Sequence, residues 1–220
     1  MELNADFTKR AVVHGAAISW QASPMPGVDR KMLDRIGDEV ARATTIVRYA
    51  PNSQFSPHTH GGGEEFLVLA GVFQDEHGYY PTGTYVRNPP TSRHTPGSVG
   101  GCTILVKLWQ FDPDDRTQVT LDTTQQQYIP DLTRLGVSVL PLFADDRETV
   151  RLERWEANAL IDLPALDGLE IFAIQGSFCE SDEIFQTYSW LRLPPDSRLL
   201  AQSGAEGCQI WLKQLRSRTS

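Results

Sequence analysis

The sequence has little that would staple a small or secreted chain together. It holds three cysteines, Cys102, Cys179 and Cys208, an odd number with no Cys-x2-Cys pair. That excludes a closed disulfide framework, a zinc ribbon and a dithiol redox motif, and leaves three free thiols. Each sits among strand-forming residues, so each reads as a small buried hydrophobe. Long apolar runs are missing too: the stretch from Phe66 to Phe73 is eight residues and contains Gly71, against the ~20 that a spanning helix requires. The opening residues MELNADFTKR have no apolar segment behind their charges, so a cytoplasmic location is expected rather than secretion. Positive charge is also scarce. Lys and Arg number 20 against 28 Asp and Glu, a formal charge of −8, and a field of that sign repels phosphate backbones and anionic lipid. Neither nucleic acid nor a membrane is an expected partner.

Helical periodicity is almost absent. Met32, Leu33, Ile36 and Val40 fall at helical spacing, but Gly37-Asp38 between them suits a hairpin turn, and a hairpin is the reading preferred over 29–42. What fills the chain is short runs rich in Val, Ile, Thr, Tyr and Phe between Gly, Pro, Asn and Asp clusters: TTIVRY, EEFLVLAGVF, GTYVRN and CTILVKLWQF, then TVRLERW, EIFAIQGSF, YSWLRL and CQIWLKQL. These are strand signals, and they predict an all-β chain.

The second set repeats the first. With Gly71 set on Gly176, an offset of 105, Glu65 meets Glu170, Phe73 meets Phe178 and PPTSR meets PPDSR; one residue more puts Cys102 on Cys208. The copies run from about 10 to 111 and from about 117 to 215, so two β-barrel units are expected, 1–111 and 112–220.

The first copy alone carries a set of metal-binding residue types. His58 and His60 are two apart in PHTHGGGEEF, and the period of two in a strand puts both imidazoles on one face. Gly61, Gly62 and Gly63 form a turn that tolerates positive φ and returns Glu64 to the same pocket. His94 follows 30 residues later, past the Pro89-Pro90 corner. Three imidazoles and a carboxylate suit a first-row divalent metal. At the offset of 105 the same positions hold Leu163, Ala165, Leu169 and Leu199. The frame is kept and every ligand is replaced by an apolar residue, so the four residues serve something other than the fold, and only the first unit is expected to bind metal. Glu65 with Glu170 and Arg87 with Arg192 recur in both copies and read as framework. Tyr79, Tyr80 and Tyr85 are lesser candidates for contact with a small molecule, and His14 and His77 read as ordinary polar histidines.

The first copy resembles a cupin. His58-x-His60-x3-Glu64-x6-Gly71 follows the first cupin motif, with Asn52 at its leading glycine, and Gly83-x5-Pro89-x-Thr91-x2-His94 follows the second, with Thr91 for a glycine and the closing Asn absent. The stretches GEEFLVLAGVFQDEHGYYPTGTYVRNPP and SRHTPGSVGGCTI resemble the cupin half of ChrR-type anti-sigma factors. The resemblance implies two jelly-roll barrels in tandem, a bicupin with a degenerate second copy, and one divalent ion on His58, His60, Glu64 and His94. Zinc is the metal it favours, with iron, nickel or manganese as alternatives. It also implies a regulatory or sensory role, answering an oxidant or small molecule. The His-x3-Cys-x2-Cys zinc module through which ChrR proteins bind a sigma factor does not occur in this sequence, so a sigma-factor partner is not expected.

Two other readings stand beside that one. A three-His, one-Glu centre with open coordination positions would suit a metal-dependent dioxygenase acting on a small diketone or hydroxylated ketone, with Glu64 able to loosen and act as a base. The leucine-lined second barrel could instead hold a small apolar ligand. A homodimer is plausible under any of them.

Overall fold

The computed structural model describes residues 1–38 and 40–216. It is built of β-strands, with one short 3-10 turn at Thr123–Gln125 and no α-helix among the described residues; no helix is long and apolar enough to cross a membrane. The expected hairpin is present as Val28–Gly37 and Ala41–Tyr49, paired antiparallel with Gly37 opposite Ala41. Gly37 takes φ +108°, which a side chain would resist. Glu39, in the turn, lies outside the described residues.

The chain divides into two units, residues 1–5 with 19–125 and residues 6–18 with 126–220. This corrects the boundary expected at 111/112. In the first unit Val119–Asp122 pairs with Thr84–Asn88, carrying 112–125 into that unit. In the second, Ala11–His14 pairs with Ser189–Leu193, the repeat equivalent of Thr84–Asn88. Val119 lies opposite Arg87 and Ala11 opposite Arg192, so each edge strand occupies the same place in its unit. Each sequence copy therefore contributes its opening strand to the other copy's sheet.

Within the first unit the main sheet runs Val28–Gly37, Ala41–Tyr49, Cys102–Leu108, Glu64–Asp75, Thr84–Asn88 and Val119–Asp122. Inward residues alternate along these strands, and Val28, Tyr49, Phe66, Val68, Phe73, Val86, Cys102, Ile104 and Val106 form one buried cluster. The short pair His58–Thr59 with Arg93–His94 forms a separate two-stranded ribbon, and Ser53–Gln54 with Gly97–Ser98 joins the strand Glu64–Asp75 through Gly97 opposite Gln74. The second unit repeats the plan, its core including Trp155, Ile171, Phe178, Phe185, Leu191, Leu199 and Leu212. Gly71 and Gly176 show why the repeat keeps a glycine: both have positive φ, and a Cβ there would lie 2.1 and 2.2 Å from the carbonyl oxygens of Gly101 and Gly207.

The recurring charged residues are buried framework. Arg87 and Lys107 stand opposite Glu65 in register, as Arg192 and Lys213 stand opposite Glu170. Tyr85 donates its hydroxyl to Glu65 at 2.6 Å and is fully buried, which removes it from contact with any small molecule. Cys102 and Cys208 are buried, with thiols pushed up to about 11 and about 12 by that burial. Cys179 departs from expectation: it is exposed, because its neighbours Phe178 and Glu180 take the inward positions of that strand.

Candidate metal centre

His58 and His94 are register partners across the two-stranded ribbon, and His60 leaves the end of it. Glu64 opens the strand Glu64–Asp75. The chain turns between them at the three glycines, but only Gly63 has positive φ, +76°. What requires the other two is close approach. A Cβ on Gly61 would lie 2.7 Å from the Trp109 ring, one on Gly62 2.4 Å from it, and one on Gly63 2.4 Å from the Phe111 ring. The Trp109 and Phe111 amides bond the carbonyls of Gly63 and Gly62 at 3.1 and 3.3 Å, so the turn is clamped by the segment that follows the strand Cys102–Leu108, distant in sequence.

One ligand atom from each of His58, His60, Glu64 and His94 lies within 4.8 Å of all the others. Glu64 Oε2 is 3.4 Å from His60 Nε2 and 3.5 Å from His94 Nε2. The rings cross at steep angles, with centroids 4.6 to 5.0 Å apart. His60, Glu64 and His94 are buried, and His58 is exposed at the mouth.

The hydrogen bonds fix which nitrogens face the centre. His94 Nδ1 lies 3.0 Å from Asp75 Oδ2, a carboxylate that only accepts, so Nδ1 carries the proton. His58 Nδ1 donates to the Ser56 carbonyl at 3.1 Å. Ser92 Oγ spends its one proton on the Pro89 carbonyl at 2.6 Å and so accepts from His60 Nδ1 at 2.9 Å. All three rings therefore hold Nδ1–H outward and present Nε2 lone pairs inward, as second partners of metal-ligating histidines do. His60 Nε2 and His94 Nε2 are buried and make no hydrogen bond. Buried lone pairs left without a donor are costly unless a cation meets them, so these residues fit a divalent ion. Asn88 Nδ2 donates to Glu64 Oε2 at 3.2 Å and steadies the carboxylate.

Electrostatics separates the buried histidines. Burial, with the charges of His94 and His58, holds His60 below its usual range against the pull of Glu64. Burial acts the same way on His94, but the Asp75 hydrogen bond and the charges of Glu64, Asp75 and Glu76 outweigh it and raise the ring. Burial would raise Asp75, yet the bonds from His94, the His77 amide and Tyr80 hold it below the usual carboxylate range.

Sequence reasoning missed Asp75, Asn88 and Ser92. The repeat comparison carried a signal for one: Asn88 becomes Leu193 at the same offset. Tyr80 donates to Asp75 at 3.2 Å and lines an open cavity of about 740 Å³ that also reaches His94 and Asn88. His77, taken from sequence as ordinary, lines the same cavity, whereas Tyr79 faces solvent and His14 belongs to the second unit. In the second unit Ala165, Leu169 and Leu199 sit in the packed core with Leu163 against it, which leaves that barrel's interior to packing.

The fold and the centre define the class: two cupin jelly rolls in tandem, a bicupin, with a possible metal group in the first. Residues 8–112 match the model of the ChrR cupin-like domain family. No curated protein matches the chain in sequence. Among solved structures, the chain is similar to a candidate dioxygenase from Nostoc punctiforme (TM-score 0.78, 15% identity, covering 97% of this chain and 84% of that one). It is also similar to Ylba from Escherichia coli (0.71, 12%, 94% and 91%) and to oxalate decarboxylase from Lactobacillus farciminis (0.66, 10%, 94% and 86%). At these identities the likeness is one of fold.

Proposed function

We propose that the first unit is a metal-dependent oxygenase centre acting on a small polar molecule, hydroxylated ketones being the first class to try. The observation that supports this most directly is the pair of buried Nε2 atoms of His60 and His94 that make no hydrogen bond, with His94 also lining a cavity large enough for such a molecule. His58, His60, Glu64 and His94 would hold the ion, and Asp75, Ser92 and the Ser56 carbonyl would hold the rings in their ligating tautomer. When bound, the ion would supply Lewis acidity toward an enolisable substrate, with O2 as the oxidant. Around it the protein's part is positional. Asn88 keeps Glu64 oriented, and a Glu64 carboxylate not engaged by the ion would serve as the base toward a substrate carbon or hydroxyl. Tyr80 is anchored by Asp75 and closes one side of the cavity.

A regulatory or sensory role is the second reading, and the match of residues 8–112 to the ChrR cupin-like family favours it. Metal analysis by mass spectrometry on tag-free protein, followed by O2 uptake with a panel of hydroxylated ketones, distinguishes them. Near-stoichiometric iron, nickel or manganese with substrate-dependent O2 uptake, lost in the double variant His58→Ala with His94→Ala, is the expected result. Stoichiometric zinc with no uptake would turn the assignment to the regulatory reading. No metal in either protein would overturn both.

A further inference from the structure

The cavity beside His94 is built for a more specific ligand than the centre alone requires. None of its lining residues is aliphatic, and the side chains around it are hydroxyls, amides, the imidazoles of His77 and His94, the Tyr80 ring and the charged groups of Asp75 and Arg93. Thr59, Gln118 and Thr120 have no hydrogen-bond partner for their side chains among the described residues, and Asn88 and His94 are shared with the metal centre. Two side chains here are formally charged, the Asp75 carboxylate and the Arg93 guanidinium, and they differ in commitment. The Asp75 carboxylate is already saturated by His94, Tyr80 and the amides of His77 and Gly78. Arg93 at the rim is exposed, and its guanidinium meets no carboxylate among the described residues. In an acidic chain of formal charge −8, an uncommitted guanidinium at the mouth of a polar cavity is a feature the fold does not need.

Resting on the proposed metal-centre reading, we propose that this cavity takes a small hydroxylated carboxylate. Arg93 pairs with the carboxylate, Gln118 and Thr120 take the hydroxyls, and the far end of the molecule reaches toward Asn88 and His94. Arginine's planar donor fork matches a carboxylate in two-point geometry, and donors and acceptors held on neighbouring strands suit a run of hydroxyls. An apolar diketone of the same size would leave these groups without partners as it displaced their water, so the cavity discriminates against it.

Isothermal titration calorimetry on the metal-loaded full chain tests this, with lactate, malate, tartrate and gluconate as probes. Sorbitol and threitol serve as neutral hydroxylated controls and acetylacetone as the apolar one. At least one hydroxycarboxylate should bind while its neutral counterpart and acetylacetone bind at least about tenfold more weakly, and Arg93→Gln should cost about tenfold or more with Arg93→Lys recovering part of it. Thr120→Val should weaken the same ligand without changing metal content. If the protein holds metal but no hydroxycarboxylate binds, or if Arg93→Gln leaves binding unchanged, the ligand assignment falls while the metal centre stands. If the protein holds no metal, the reading beneath it falls first, and the metal content measured on the same sample separates the two failures.

Discussion

Replacing Asp75 by Asn should weaken metal binding by changing a proton's place rather than removing a ligand. Asp75 accepts four hydrogen bonds, from His94 Nδ1 at 3.0 Å, the Tyr80 hydroxyl at 3.2 Å, and the amides of His77 and Gly78 at 2.8 and 3.2 Å. The two amides and Tyr80 all meet Oδ1, and Oδ2 is left for His94. An asparagine that keeps its oxygen on the Oδ1 side puts an NH2 group against His94 Nδ1. The ring then relieves the clash of two donors by moving its proton to Nε2, the atom that faces Glu64 and the ion. Loss of such a partner costs about 10 to 100-fold in metal affinity, or about 1.4 to 2.7 kcal/mol. Tyr80→Phe removes only one of four donors and should cost less than about tenfold. Competition with a chromophoric chelator for Zn2+ measures both, and nitrogen-15 shifts of His94 report its tautomer. An Asp75→Asn protein that folds and binds within twofold of its parent would refute the reasoning.

The metal-free protein should titrate its histidines in a set order, His94 above the ordinary value of 6.5 and His60 below it. For His94 the folded value is raised, so its contribution to stability is present below about pH 6.5 and is lost as the pH rises through the folded value. For His60 the folded value is lowered, so the fold loses stability as the pH falls below about 6.5; imidazole NMR titration checks the order, and the reverse order would contradict the environments described. Gly62→Ala should destabilise the fold by about 1 to 3 kcal/mol, because its methyl collides with the Trp109 ring. Adding Trp109→Ala should recover part of that loss in denaturant unfolding, and strict additivity would count against the clamp. Leu199→Ala should cost about 2 to 5 kcal/mol of stability with metal content unchanged, since Leu199 is fully buried in the second core. His94→Leu, at the equivalent place in the first unit, should lose the metal without destabilising the metal-free protein, which thermal melts of the two variants would compare.

The four ligand types were legible because they obey local rules. A His-x-His pair on a strand shares a face by the period of two, a glycine turn brings the next carboxylate back, and the repeat supplies a second copy in which all four positions are apolar. The same comparison exposed Glu65, Arg87 and their counterparts as framework. It could have exposed Asn88 as well, where the second copy has leucine. Asp75 was not legible, because its counterpart is Glu180, another acid, and nothing in the linear pattern says which of the two meets an imidazole.

What the sequence determined by itself is the strand content, the duplication and the grouping of three histidines and a glutamate that could hold a metal, since each depends on residue type and spacing along one stretch of chain. Tertiary structure decided which sheet each opening strand joins, which Trp and Phe rings hold the glycine turn, and which side chains fix the histidine tautomers. A sheet edge offers the same N–H and C=O groups to any strand that reaches it, so Ala11–His14 and Val119–Asp122 carry no local mark of the unit they complete. The contacts of Asp75, Ser92 and Trp109 likewise join residues 19, 32 and 46 positions apart, counting to His94, His60 and Gly63. Such meetings are fixed only when the strands of the first unit close over their core.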